Sequence, residues 1–173
     1  MALNYFELFE IPVSLEPDKA LIRKRYMELS KVHHPDYFVN NGMEEQENAL
    51  EMSALLNKGL KTLSNKDETI AYVLRMKGLL EEEEKYSLPP SFLMQMMEVN
   101  EALAEAGMDD PSELVQIRQQ LVDLENEIYE PVQDIIENYK EGVTTEEALL
   151  QVKDYYFKKK YLRRLSQQLG RMS

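Results

Sequence analysis

Two stretches of helical periodicity meet at one interruption, His34-Pro35-Asp36, and that junction constrains the fold of this chain more than any other feature. Upstream, Ile22, Tyr26, Leu29 and His33 recur at steps of four, three and four, the spacing that places side chains on one face of a helix. Arg23, Lys24 and Lys31 fall away from that face. Pro35 disfavours the helical region for His34 and lacks an amide donor, so the helix that begins near Pro17 must stop there. A second helical pattern starts near Glu44. The tripeptide is therefore expected in an exposed loop between two packed helices, with His33 finishing the inner face of the first.

A second region follows a change in composition. Glu81-Glu82-Glu83-Glu84 is a solvated acidic run, and Ser87-Leu88-Pro89-Pro90-Ser91 is a stiff turn whose last serine suits a helix N-cap. No Gly/Ser tract accompanies them, so a short linker is expected rather than a flexible tether. With 173 residues, 43% of them hydrophobic, the chain suits two small domains. The boundaries read as residues 1–78, a linker at 79–91 and a second domain at 92–173.

Three helical patterns fill that second domain, separated by Gly107-Met108-Asp109-Asp110-Pro111 and Glu141-Gly142-Val143. The first has a seam of Phe92, Met96, Val99 and Leu103. In the second, Leu114, Ile117, Leu121, Leu124, Ile128, Ile135 and Tyr139 recur near a seven-residue repeat that Pro131 interrupts. The third opens on a capping box with Thr144 as cap and Glu147 reaching back, and continues through Ala148, Val152, Tyr155, Leu162 and Leu169. The whole chain reads as all-α, ending in a three-helix bundle.

Composition removes several functional classes. Cysteine is absent, which excludes disulfides, thiolate metal sites and cysteine nucleophiles. No run approaches the ~20 apolar residues of a membrane span, and the N-terminus resembles neither a secretory signal nor a transit peptide. A cytosolic, and if complete a bacterial, protein is the expectation. Residues 1–80 hold 10 Lys and Arg against 12 Asp and Glu, and residues 81–173 hold 10 against 20, so the net charge of -12 divides as -2 and -10. An acidic second half does not suit nucleic acid. Its one basic cluster, Lys158-Lys159-Lys160 with Arg163-Arg164, is expected late in a helix, where cations suit the dipole. The only histidines are adjacent, so they cannot share a metal from one helix face, and no glycine-rich loop offers a nucleotide site. Asp36 beside His34 lacks the shielding that acid–base catalysis needs. No enzyme, metal or cofactor is expected.

The first half resembles the J-domain of DnaJ-type co-chaperones over roughly residues 3–76. Asn4-Tyr5-Phe6-Glu7-Leu8-Phe9 is similar to that family's first helix, residues 22–31 to its basic second helix, Leu56-Asn57 through Leu63 to the end of its third, and Ala71-Tyr72 to its fourth. Tyr37 stands where the family usually has lysine, and Met27, Glu28 and Val32 stand at positions that are often basic. The resemblance implies an antiparallel helical hairpin plus short helices. It also implies a surface, His34, Pro35 and Asp36 with Arg23, Lys24, Arg25 and Lys31, that engages an Hsp70-class chaperone of the HscA or DnaK type and promotes its ATP hydrolysis.

A J-domain joined by a short linker to an acidic three-helix domain resembles the HscB-type co-chaperones of iron–sulfur cluster assembly. Leu93, Met94, Met97, Glu98, Glu101 and Glu105 lie off the Phe92 seam and, with Phe157 of the last helix, are similar to the face with which that family binds an IscU-type scaffold. The implied function is delivery of the scaffold to the chaperone. The rival expectation is a general J-domain adaptor whose acidic bundle binds another client or self-associates weakly through Leu93, Met94 and Met97.

Overall fold

The computed structural model describes residues 3–106 and 110–172, and every regular element among them is helical. The chain divides into two compact units, Met1–Lys77 with Tyr139–Val143, and Gly78–Asn138 with Thr144–Ser173.

In the first unit, α1 (Tyr5–Leu8) opens on a capping box: Asn4 accepts from the Glu7 amide and the Glu7 carboxylate accepts from the Asn4 amide. A single turn this short does not persist on propensity alone. Tyr5 stacks on Tyr72 of α4 (Lys66–Met76) at 4.7 Å, and its amide donates to the Tyr72 hydroxyl at 2.9 Å. The main hairpin is α2 (Lys19–His33) against α3 (Met43–Leu63). Asp18 caps α2 by accepting from the amides of Ala20 and Leu21. The start of α2 borders the end of α3, so the pair is antiparallel, and the Tyr26 hydroxyl donates across it to Asn57 Oδ1 at 2.6 Å. Ile22 is fully buried, and Tyr26, Leu29 and His33 are half-buried, so the face expected to turn inward does so. Gly59 lets α1 approach α3: a Cβ there would stand 2.5 Å from Phe9 Cε2 and 3.2 Å from Tyr5 Cδ1. Residues 139–143 join this unit through Glu141, which pairs with Lys77 and accepts from the Tyr139 hydroxyl at 2.6 Å.

The second unit is built on α5 (Pro90–Glu105), α6 (Pro111–Tyr129) and α8 (Glu146–Met172), with the short α7 (Gln133–Glu137) reached through a 3-10 turn, Glu130–Val132. Phe92, Met96, Val99 and Leu103 interlock with Leu114, Ile117, Leu121 and Leu124 of α6 and Leu162, Leu165 and Leu169 of α8. The α5 seam and the second seam as far as Leu124 are thus core seams, whereas Tyr139 belongs to the first unit.

Local details depart from the sequence reading. Ser91 is not a cap: α5 begins at Pro90, with Pro89 at the cap position and no side-chain hydrogen bond, because proline at the first helical position needs no amide partner. The α8 cap is Thr145, whose Oγ1 accepts from the Ala148 amide at 3.1 Å; this displaces the expected Thr144 box by one residue and leaves Glu147 in the first turn. Beyond Pro131 the buried positions are Val132 and Ile136, with Ile135 only half-buried, because a 3-10 turn winds three residues per turn and slips the register. Leu149, not Ala148, is buried at the start of α8. The basic cluster lies mid-helix, too far from the C-terminus for the dipole to matter. Its members find local partners instead: Lys158 Nζ lies 2.8 Å from Asp154, and Lys159 sits over the Tyr155 ring. The turn expected at 107–111 falls mostly outside the described residues; Asp110 caps α6 by accepting from the Ser112 amide at 3.0 Å.

Candidate functional site

Two surfaces gather the residues singled out by sequence. At the first, His34 leaves the α2 helix in an extended conformation, and its Nδ1 accepts from the Asp36 amide at 3.2 Å, capping a 3-10 turn, Pro35–Phe38. The same nitrogen lies 3.5 Å from Asp36 Oδ2, and the His34 ring meets Tyr37 edge-on at 6.1 Å. The Asp36 side chain is 85% exposed. The tripeptide is thus a self-braced corner that leaves His34 Nε2 and the Asp36 carboxylate for a partner, the latter an acceptor suited to a guanidinium or ammonium group.

Lys24 and Lys31 are seven residues apart and so lie on one exposed stripe of α2, with Arg23 and the exposed Met27 beside them. The stripe runs about 15 Å along the helix axis up to the corner, at ~1.5 Å per residue. Arg25 is a different case. It flanks the inward face, its guanidinium lies 3.6 Å from Glu10 and 3.3 Å from Glu28, and its Nε is buried without a hydrogen-bond partner. The structure therefore brings Arg23, Lys24 and Lys31 to the corner's helix face and ties Arg25 to its own unit.

At the second surface, the buried seam of α5 leaves its opposite side to solvent. Leu93 is 39% exposed, Met94 65% and Met97 61%. Glu98, Glu101 and Glu105 continue the same side toward the helix C-terminus, all exposed. This is a methionine-rich apolar patch grading into carboxylates, adaptable in shape and directional in charge.

Phe157 of α8 stacks with Tyr86, which shares a trough with Met94 and Glu98 of that patch. It lies off the core seam, yet it is half-buried because Tyr86 stacks on it, ring centroids 4.5 Å apart and planes within 7°. Sequence reasoning missed this arrangement. The Tyr86 hydroxyl donates to Asp154 Oδ1 at 2.8 Å, Lys153 Nζ sits over the Tyr86 ring at 5.6 Å, and Lys153 also binds Glu84 at 2.7 Å. Burial first, then the bond to Asp154, pushes the Tyr86 phenol up to about 12. The hydrogen bond from Lys153 holds the Glu84 carboxyl below its ordinary range. Glu84 is consequently not part of a solvated run; it and Tyr86 clasp the linker onto α8. Tyr86, the one aromatic in the 79–91 linker, was the only signal available for it.

Comparison with known proteins covers nearly the whole chain. The sequence model of a family described as the HscB C-terminal oligomerisation domain matches residues 88–170. A co-chaperone protein HscB homolog of Shewanella loihica is 34% identical over 173 residues, covering 98% of this chain and 96% of that protein. An iron-sulfur cluster co-chaperone protein HscB homolog of Arabidopsis thaliana is 32% identical over 120 residues, 69% of this chain and 47% of the plant protein. The crystal structure of human co-chaperone protein HscB superposes with a TM-score of 0.79 at 25% identity, covering 98% of this chain and 81% of the human one. With near-complete coverage of a bacterial relative and a shared all-helical architecture, this chain belongs to the HscB family of co-chaperones.

Proposed function

We propose that this chain is a co-chaperone of iron–sulfur cluster assembly. It holds an IscU-type scaffold on the exposed face of α5, presents residues 34–36 to an Hsp70-class chaperone of the HscA or DnaK type, and stimulates that chaperone's ATP hydrolysis so that the cluster passes to acceptors. The traffic is assigned to the cytosol. Catalysis belongs to the chaperone, and this chain biases its conformational equilibrium.

The observation that supports this reading most is the self-capped, solvent-exposed corner at the end of a basic helix stripe. The stripe attracts an acidic surface at long range, and the corner delivers one carboxylate in a defined position. A steady-state ATPase assay with chaperone and scaffold tests it. Wild type should raise turnover and Asp36→Asn should lose the increase; unchanged turnover on adding wild type, or full activity of the variant, sinks the proposal.

A second reading is self-association through the α5 face, favoured by the word oligomerisation in the matched family's description and by the exposure of Met94 and Met97. Sedimentation separates the two. A dimer lost in Leu93→Ala/Met97→Ala, with scaffold retention unaffected, would support self-association.

A further inference from the structure

Beside α5, within the second unit, lies an open trough of about 960 Å³ that the scaffold face uses only at its edge. Its floor is apolar: Phe92, Val132 and Tyr155 are buried, Ile128 is half-buried, and Leu150 stays 44% exposed. Its rim is acidic. Glu98 comes from α5, Glu127 from the last turn of α6, and Glu147 and Asp154 from α8. Lys158 is the one cation in the lining, and it is already committed, 2.8 Å from Asp154 and 5.7 Å over the Phe92 ring. Glu98, Glu127 and Glu147 have no ion-pair partner among the described residues.

Glu147 alone has a structural reason for its place, the positive end of the α8 dipole. Glu127 stands against the α6 dipole, near the negative end, where a carboxylate is unfavourable. Three carboxylates without ion-pair partners around a largely apolar floor leave the free surface with like charges on its rim and Leu150 partly exposed. A partner bringing cations and an aliphatic side chain relieves both. Phosphates would be repelled, and so open a trough cannot enclose a small ligand.

We propose that this trough receives a basic segment of the client scaffold, with Lys or Arg side chains on the rim carboxylates and an aliphatic side chain against Leu150 and Ile128. Met94 and Glu98 belong both to the trough and to the exposed α5 face, so the two form one continuous interface. The proposal rests on the scaffold-binding reading above and extends that interface from α5 onto α6 and α8.

The test is calorimetric binding of an IscU-type scaffold to the full chain at low and at physiological salt. Glu127→Gln/Glu147→Gln should weaken binding about fivefold at low salt, as expected for two partly screened contacts, and flatten the salt dependence. Leu150→Ala should weaken it independently of salt. If these variants bind as wild type does while Leu93→Ala/Met97→Ala does not bind, the trough is not part of the interface and the scaffold reading stands. If wild type fails to bind the scaffold, both readings fall. A dimer of the free chain that Glu127→Gln/Glu147→Gln dissociates would make a second copy the occupant and overturn the proposal.

Discussion

At the scale of single residues, Gly59 and Asp36 show opposite kinds of constraint. Gly59 is defined by what surrounds it, since the buried Phe9 ring occupies the space a methyl group would need and cannot swing clear. Gly59→Ala should destabilise the chain by about 1–3 kcal/mol, the usual range for overpacking, measured as a shift in denaturant midpoint. Asp36 is defined by what it lacks, a burying neighbour. Asp36→Asn should leave that midpoint unchanged within about 0.5 kcal/mol while abolishing chaperone stimulation, because an exposed carboxylate contributes little to folding. His34 sits between these cases: its Nδ1 holds the Asp36 amide and so shapes the corner from within.

At the scale of elements, α2 works through a stripe and α8 through a clasp. Lys24→Ala/Lys31→Ala removes two charges from the stripe without touching the inward face. The concentration of this chain giving half-maximal ATPase stimulation should rise about tenfold at low salt and much less at 0.5 M, because screening already suppresses the attraction there. The α8 clasp predicts a pH dependence. The Lys153 hydrogen bond holds the folded-state pKa of Glu84 below its ordinary 4.5, so the ionised pair stabilises the fold above that pH, and its contribution is lost as the pH falls through the lower folded value. Below about pH 4.5, wild-type stability should therefore fall more steeply than that of Lys153→Met. The two curves, measured by urea unfolding at stepped pH, should converge in acid; parallel curves would show that the pair contributes nothing.

At the scale of the whole molecule, the two proposed binding surfaces on one chain would turn a second encounter into an intramolecular one, with affinity then set by effective concentration. Scaffold should lower the concentration of this chain needed to stimulate the chaperone. Leu93→Ala/Met97→Ala should abolish that shift while keeping stimulation in the absence of scaffold. The readout is a titration of ATPase rate with and without saturating scaffold, and loss of basal stimulation in the variant would count against independent surfaces.

The helix faces, the stop at Pro35 and the exposed sides of α2 and α5 were written in the sequence, because each depends on residues within a turn or two of one another: periodicity of apolar side chains, a restricted φ, a missing amide donor. The slips were also local, at Ser91, Thr144 and the register after Pro131, where adjacent residues compete for one cap or one turn. What the chain could not announce in advance depends on distant partners. Tyr86 and Asp154 are 68 positions apart, and only folding reveals that Tyr86 is anchored on Asp154 and half-covers Phe157 while Lys153 holds Glu84. Arg25 and the trough follow the same rule. Which side of a helix is buried is a property of its own spacing, whereas which charge is neutralised, and by whom, is decided by tertiary neighbours.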